Sequence, residues 1–262
     1  MNCKISVLAS GSSGNSVFVS DGQSNILIDA GLSGKELTKR LNKINVSADE
    51  IDALIITHEH RDHISGAGVI SRRYNIPIYA NDPTLTNSYK CIGEIDENNY
   101  EIIKSDFMIE DIAIHPFSIS HDAAFPFAYI LYCNKKKIGI ATDMGYFDKK
   151  IVSELKELDF LVIEANHDLD MLMTGDYPWN VKHRIKGDEG HLSNDDTAAL
   201  LPKIIGEKNP HILLAHLSED NNNQEVAYIT VKNNLKANGL KEGRDYSIDF
   251  TYQDKPTRLY KI

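Results

Sequence analysis

Between residues 53 and 66 the chain reads ALIITHEHRDHISG: an apolar run passes directly into a stretch where three histidines and two acids occupy the six positions His58 to His63. This feature narrows the fold more than any other. Crowding or burying so many ionisable groups is costly unless a cation partners their deprotonated forms. The run therefore has to be a strand that hands its polar residues to a loop at the edge of a sheet. On a helix His58 and His60 would diverge by about 200°, whereas on an extended or tightly turned segment they can face one point. Asp62 and His63 follow at once, giving the pattern HxHxDH, whose imidazole and carboxylate donors suit zinc or another first-row metal. A solvated polar turn with chance histidines is the plain alternative, and it leaves the crowding without a cause.

With 262 residues, 42% of them hydrophobic, the chain can bury a sizeable core. No linker, repeat or low-complexity tract marks a boundary, so one globular domain over 1–262 is expected. The opening MNCKISVLAS alternates apolar and polar residues, unlike a signal peptide, and no apolar run reaches membrane-spanning length. A soluble, cytoplasmic protein without a membrane partner is expected. Cys3, Cys91 and Cys133 are widely spaced and odd in number, which suggests buried, reduced thiols. A formal net charge of −10 argues against coating nucleic acid by bulk attraction, yet a local basic strip can still hold a few phosphates, so a nuclease is not excluded.

Three short β-rich pieces, CKISVLA, NSVFVS and NILIDA, are separated by turn residues and predict an antiparallel opening. Ser33 and Glu36 have capping-box spacing ahead of a helix carrying Leu37, Leu41 and Ile44. Strands ALIIT, PIYA, IAIHPFSIS, FAYILYC, KKIGIAT, DFLVIEA and HILLAH follow. Helices are predicted from Ile64 to Tyr74, between KKIGIAT and DFLVIEA, from Ser193 with Asp196 three residues on, and from about Asn222 to Ala237. NKKKI, residues 134–138, reads as a solvated hairpin turn, and Arg72-Arg73 as an exposed helix end. Many strands with interspersed helices and no strict alternation suggest sheets layered with helices.

Further motifs recur in order: Asp29 in ILIDAG, His121 in SISHD, Asp143 in GIATDMG and His216 in LLAHLSE. Together with HEHRDH they resemble the metallo-β-lactamase superfamily over most of the chain. The resemblance implies an α/β (α+β) fold, a four-layer αββα sandwich of two mixed sheets with a dinuclear metal site at one edge. It implies that His58, His60 and His121 hold one ion, that Asp62, His63 and His216 hold the other, and that Asp143 bridges them. Two divalent ions about 3.5–4 Å apart repel, and a carboxylate between them lessens that repulsion while water there becomes a nucleophile at neutral pH. Such a site is hydrolytic, with Asp62 counted in the catalytic set as well. Asp29 reads as a partner that orients a ligand imidazole, or else as a turn residue at a strand end. Zinc, manganese or iron would fit.

Fold alone does not choose the substrate. Lactamases of the superfamily commonly place Cys where Asp143 stands, which argues against that activity, whereas a thioester hydrolase of the glyoxalase II kind shares the ligands. VIEANHD, with Glu164 and His167, and GDEGHLSN, with His191, resemble motifs of the phosphodiesterase branch that includes tRNA 3′-processing enzymes. There a Glu–His pair protonates the leaving alkoxide, which a departing nucleoside oxygen needs and a thiolate does not. His191 is thus the expected general acid, oriented by Glu164. LASGSSGNS, ITHEHRDHISG, EANHD and GHLSN together are similar to the YycJ group, also called WalJ or VicX. That likeness implies a compact 5′→3′ exonuclease on duplex DNA, linked to mismatch repair. Rival expectations are a phosphodiesterase for cyclic or other small nucleotides, a thioester hydrolase, and a regulatory partner of a two-component signalling system.

YPWNVKHRIKG, residues 177–187, reads as a loop that could stack a base on Trp179 or Tyr177 and hold phosphate with Lys182 and Arg184, or as charges around a buried Trp. SGSSGNS could offer Ser12 and Asn15 to a terminal phosphate, though a simple turn explains it nearly as well. His167 divides between substrate contact and a plain loop histidine. His115, His183 and His211 sit outside the motifs and are given no chemistry.

Overall fold

The computed structural model describes residues 2–262. Its strands are β1 (Lys4–Ala9), β2 (Ser16–Ser20), β3 (Asn25–Ile28), β4 (Ala53–Ile55), β5 (Ile78–Ala80), β6 (Tyr100–Ile102), β7 (Phe107–Ile109), β8 (Ile112–Ser118), β9 (Phe127–Cys133), β10 (Lys136–Ala141), β11 (Phe160–Glu164), β12 (His211–Ala215), β13 (Ser247–Phe250) and β14 (Tyr260–Lys261). The helices are α1 (Gly34–Lys43), α2 (Arg61–Ile64), α3 (Ala67–Tyr74), α4 (Asp82–Ile92), α5 (Lys149–Glu154), α6 (Leu169–Thr174), α7 (Trp179–Lys186), α8 (Asn194–Ile204) and α9 (Gln224–Ala237).

One sheet has the order β14-β1-β2-β3-β4-β5-β6 and the other β13-β12-β11-β10-β9-β8-β7. Both are mixed: β1 to β3 and β7 to β10 run antiparallel, while β3 to β6 and β10 to β13 run parallel. Parallel pairs need crossovers, and these supply the outer helices. Ile5, Val7, Ile28 and Ile55 meet Ile114, Tyr129, Ile140 and Val162 between the sheets. Leu54 and Ile56 point the other way, onto Leu37, Leu41 and Ile70. Leu161, Ile163 and Leu214 likewise face Leu155, Leu201 and Val231. Strands buried on both faces explain the unbroken apolar runs in the sequence, and each fully buried Leu or Ile contributes about 1.5–3 kcal/mol. The result is the expected four-layer αββα sandwich. Among the described residues no helix is long and apolar enough to cross a membrane.

Local signals hold with some differences. Ser33 Oγ accepts from the Glu36 amide, but the Glu36 carboxylate turns to Lys39 and Arg40 and leaves the box half made. The box of Ser193 and Asp196 is complete. Asn134 and Lys135, both at positive φ, form the two-residue turn between β9 and β10. The helix expected over Ile64–Tyr74 is instead two, broken at Ser65 and Gly66, because Gly66 donates to the Ala30 carbonyl and a Cβ there would stand 2.2 Å from the Leu32 oxygen. Residues 179–186 of the expected basic loop are helical, following Pro178. The cysteine expectation is also corrected. Cys3 and Cys133 are joined as a disulfide with their Cα atoms 5.9 Å apart, and Cys91 is exposed. The partners are 130 residues apart and belong to opposite sheets, so sandwich packing brings them together where spacing along the chain gave no hint.

Candidate metal centre

The chemistry-bearing residues gather where the parallel strands end, the usual place for a site in α/β sheets. Asp29 follows β3, His58 and His60 follow β4, Asp62 and His63 lie in α2, and Asp143, Glu164 and His216 stand at the ends of β10, β11 and β12. His121 comes from the turn between β8 and β9, and His191 precedes α8. Asp29, Asp143 and His216 have φ of 62°, 59° and 56°. Such left-handed backbone is uncommon outside Gly and clusters at functional sites; here it turns three strand ends toward the same space.

His58, His60 and His121 form one group, with ring centroids 4.7–5.0 Å apart. Two of the rings are oriented from behind. His121 Nδ1 donates to the Gly190 carbonyl at 3.1 Å, and His60 Nε2 donates to the Asp122 carbonyl at 3.2 Å. A carbonyl can only accept, so in each neutral ring the opposite nitrogen keeps its lone pair for a cation. Thr57 Oγ1 lies 2.9 Å from His58 Nδ1, while His58 Nε2 is buried with no partner.

A second group faces the first. Asp29 accepts from the amide and hydroxyl of Thr57 at 2.8 and 2.9 Å and from His63 Nδ1 at 2.7 Å. That leaves His63 Nε2 3.4 Å from Asp143 Oδ2 and 3.5 Å from Asp62 Oδ2. His216 Nδ1 lies 2.9 Å from Glu164 Oε1 and 3.2 Å from Asp143 Oδ1, and its Nε2 is 3.9 Å from Asp62 Oδ2. Asp143 is within ligand range of both His58 with His63 and His191 with His216. Buried polar atoms nearly always find a partner, yet His58 Nε2, His216 Nε2 and Asp143 Oδ2 have none. Nitrogen and oxygen donors braced from outside and unpaired inside are what a divalent cation requires.

The charges divide the centre into halves. Burial, aided by neighbouring imidazoles, pushes His58 well below the usual histidine range, and burial also lowers His121. Burial opposes charge on His63 as well, but Asp29 and Asp143 outweigh it and hold that ring well above its ordinary value; Asp143 and Glu164 likewise lift His216 to about 9. Against their own burial, His216 and His63 keep Asp143 well below the carboxylate range, and His191 and His216 bring Glu164 to about 2. A cation in the second half would compete with protons for these imidazoles.

Glu164 is wholly buried and fully engaged. Oε1 accepts from His191 Nδ1 at 2.8 Å as well as from His216, and Oε2 accepts from the amides of Met144 and Leu192 at 2.8 and 3.2 Å. One carboxylate thus sets the pose of two imidazoles. His191 keeps Nε2 free, and its side chain is only 17% exposed, so it lies at the wall of the site.

A sequence profile described as the beta-lactamase superfamily domain matches residues 24–216. The chain belongs to the metallo-β-lactamase superfamily. Within it the chain is a YycJ/WalJ-like protein: it is 40% identical to the exodeoxyribonuclease WalJ of Streptococcus pneumoniae (serotype 2 strain D39 / NCTC 7466) over 99% of this chain and 98% of that protein. It is 38% identical to the exodeoxyribonuclease YycJ of Bacillus anthracis over the whole of both. The metallo-β-lactamase fold protein YhfI of Bacillus subtilis superposes over both full chains with a TM-score of 0.75 at 15% identity, a likeness of fold. With superfamily membership and this donor set, the chain is a metal-dependent hydrolase.

Around the superfamily's centre the other expected contacts diverge. Ser12 is exposed in the loop between β1 and β2. Asn15 is buried and ties loops together: its amide donates to the Asp62 carbonyl, and Nδ2 reaches His63 Nε2 at 3.0 Å and Asp62 Oδ2 at 3.3 Å. It braces Asp62 and His63 and is not presented to a phosphate. His167 is no surface histidine; it is 1% exposed with both ring nitrogens unpartnered, and burial lowers it to about 4. Trp179 is 60% exposed, edge-on to His183, and Tyr177 bonds Asp220. Lys182 is corrected as a substrate contact, since its buried ammonium donates to the carbonyls of Met173 and Gly175. Arg184 stays outside, paired with Asp122 at 2.6 Å. Sequence reading missed Thr57 and Asp122, although each adjoins a motif histidine and so carried a signal.

Proposed function

We propose that the chain is a dinuclear metal-dependent exonuclease that degrades duplex DNA 5′→3′. The observation that carries the phosphodiesterase part is the Glu164 carboxylate, which fixes Nδ1 of His191 and leaves Nε2 to protonate a departing alkoxide. In this reading His58, His60 and His121 hold one ion, Asp62, His63 and His216 the other, and Asp143 is shared between them. The ions, whether zinc, manganese or iron, supply Lewis-acid stabilisation of the phosphoryl oxygens and activation of the attacking water. Asp29 keeps His63 in its ligating tautomer. Glu164 accepts from Nδ1 of His191 at 2.8 Å and so aims the opposite nitrogen, the one that would give up a proton, into the site. Arg184 stands 2.6 Å from Asp122 with an exposed side chain, where it can meet backbone phosphate. DNA as substrate is supported by the two full-length relatives, both exodeoxyribonucleases; direction, a cytoplasmic setting and a place in mismatch repair are supported by the family resemblance.

The test is hydrolysis of end-labelled duplexes with added Mn²⁺ or Zn²⁺, beside an Asp143→Ala variant. Stepwise loss from the 5′ end, abolished in the variant, is expected. Absence of cleavage by protein loaded with two ions, together with turnover of a cyclic nucleotide or a thioester, would overturn the proposal.

A further inference from the structure

The carboxylate of Asp122 divides its oxygens between the metal centre and a helix outside it. Oδ2 accepts from Nε of Arg184, on α7, at 2.6 Å. Oδ1 is shut off from solvent, has no hydrogen-bond partner, and lies 3.4 Å from His121 Nε2 and 3.7 Å from His60 Nε2. The main chain of the same residue is anchored on both sides, its amide donating to the Glu189 carbonyl at 3.1 Å and its carbonyl accepting from His60 at 3.2 Å. The side chain is therefore aimed.

The nearest neighbour of Oδ1 is informative. His121 Nδ1 is committed to the Gly190 carbonyl, so Nε2 is the nitrogen left with a lone pair. A carboxylate oxygen shut off from solvent, without a donor, and 3.4 Å from the nitrogen that faces the site is placed where a cation could meet both atoms. His60 Nε2 is spent on the Asp122 carbonyl and does not serve as that donor. The His58, His60 and His121 group offers imidazole nitrogens alone; an anionic oxygen would offset part of a dication's charge and move the donor set toward harder ions such as Mn²⁺. Arg184 holds the second oxygen on a side chain that is itself 62% exposed, so the pair contributes little to stability and acts by direction.

We propose that Asp122 is a further oxygen ligand of the ion held by His58, His60 and His121, kept in position by Arg184. This rests on the metallohydrolase reading of the site. It is tested on the whole chain by chelator competition for Mn²⁺ and for Zn²⁺, and by the absorption spectrum of the Co²⁺-loaded protein. Asp122→Asn, nearly the same in shape, is expected to bind one of the two ions roughly tenfold or more weakly, with a larger loss for Mn²⁺ than for Zn²⁺ and a changed Co²⁺ spectrum. Arg184→Gln should shift the same ion by a smaller factor and leave two ions bound. Asp122→Asn with wild-type affinities and an unaltered spectrum would overturn the proposal while leaving the metallohydrolase reading intact. A wild-type chain that binds no divalent ion would overturn both.

Discussion

Glu164 shows how one residue can couple chemistry to metal binding. It braces His191, the proposed acid, and His216, a proposed ligand, through the same oxygen. His191→Ala should therefore keep both ions and lose about 10²–10⁴-fold in turnover, least on esters with acidic leaving groups. Glu164→Gln should lose turnover and metal affinity together, the latter by about 10–100-fold. Metal content beside rates on nitrophenyl and nucleoside esters separates the two, and equal metal loss in both variants would refute the division of labour. His167 makes a different prediction. Its folded-state pKa is depressed by burial to about 4 against about 6.5 when unfolded. The stability tied to its neutral form is present above pH 6.5 and is lost as pH falls toward 4, by about 3 kcal/mol. Urea unfolding of wild type and His167→Gln should diverge over that window, with wild type the more acid-sensitive; parallel curves would remove the effect. The HEHRDH cluster was legible because its members are adjacent in the chain. Asp122 carried the signal of adjoining His121, but the partner that aims its side chain, Arg184, lies 62 residues away and no local pattern shows it. Lys182 misled because a basic residue in a polar run gives no sign that its ammonium is buried.

At the level of elements, the strands were read well because period-2 and unbroken apolar runs record burial directly. The short strands β6, β7, β13 and β14 were not, because their apolar patterns are too brief to register, and the 11-residue helix α4 was not, because its sequence DPTLTNSYKCI is mostly polar. Helix α7 was hidden by its charges and shown by its neighbours, Pro178 before it and Gly187 after. The loops that carry the ligands interlock through backbone contacts. Gly31 donates to the Asn15 carbonyl, the Asn15 amide to that of Asp62, and Ala30 to that of His63. A Cβ on Gly31 would stand 1.6 Å from the Asp62 carbonyl oxygen. Gly31→Ala should cost about 1–3 kcal/mol or more and lower metal occupancy, as thermal unfolding and metal analysis would report. Gly239→Ala, which meets nothing within 4 Å but takes a φ of 79° that strains a side chain, should cost stability and leave occupancy unchanged; an equal loss of occupancy in both would discount the interlock.

For the whole molecule, the two sheets contribute unlike halves to one centre. The segment after β4 in the first sheet brings His58, His60, Asp62 and His63, with Asp29 behind them, while the second sheet brings His121, Asp143, Glu164 and His216. Two of the groups draw on both sheets, because His121 belongs with His58 and His60, and Asp143 with His58 and His63. The donors thus straddle a seam, and an ion seated there acts as a rivet between two plates at one end, while Cys3–Cys133 joins them elsewhere. An ion at the seam would report tertiary assembly, since the donors on either side of it converge only when the first half of the chain has packed on the second.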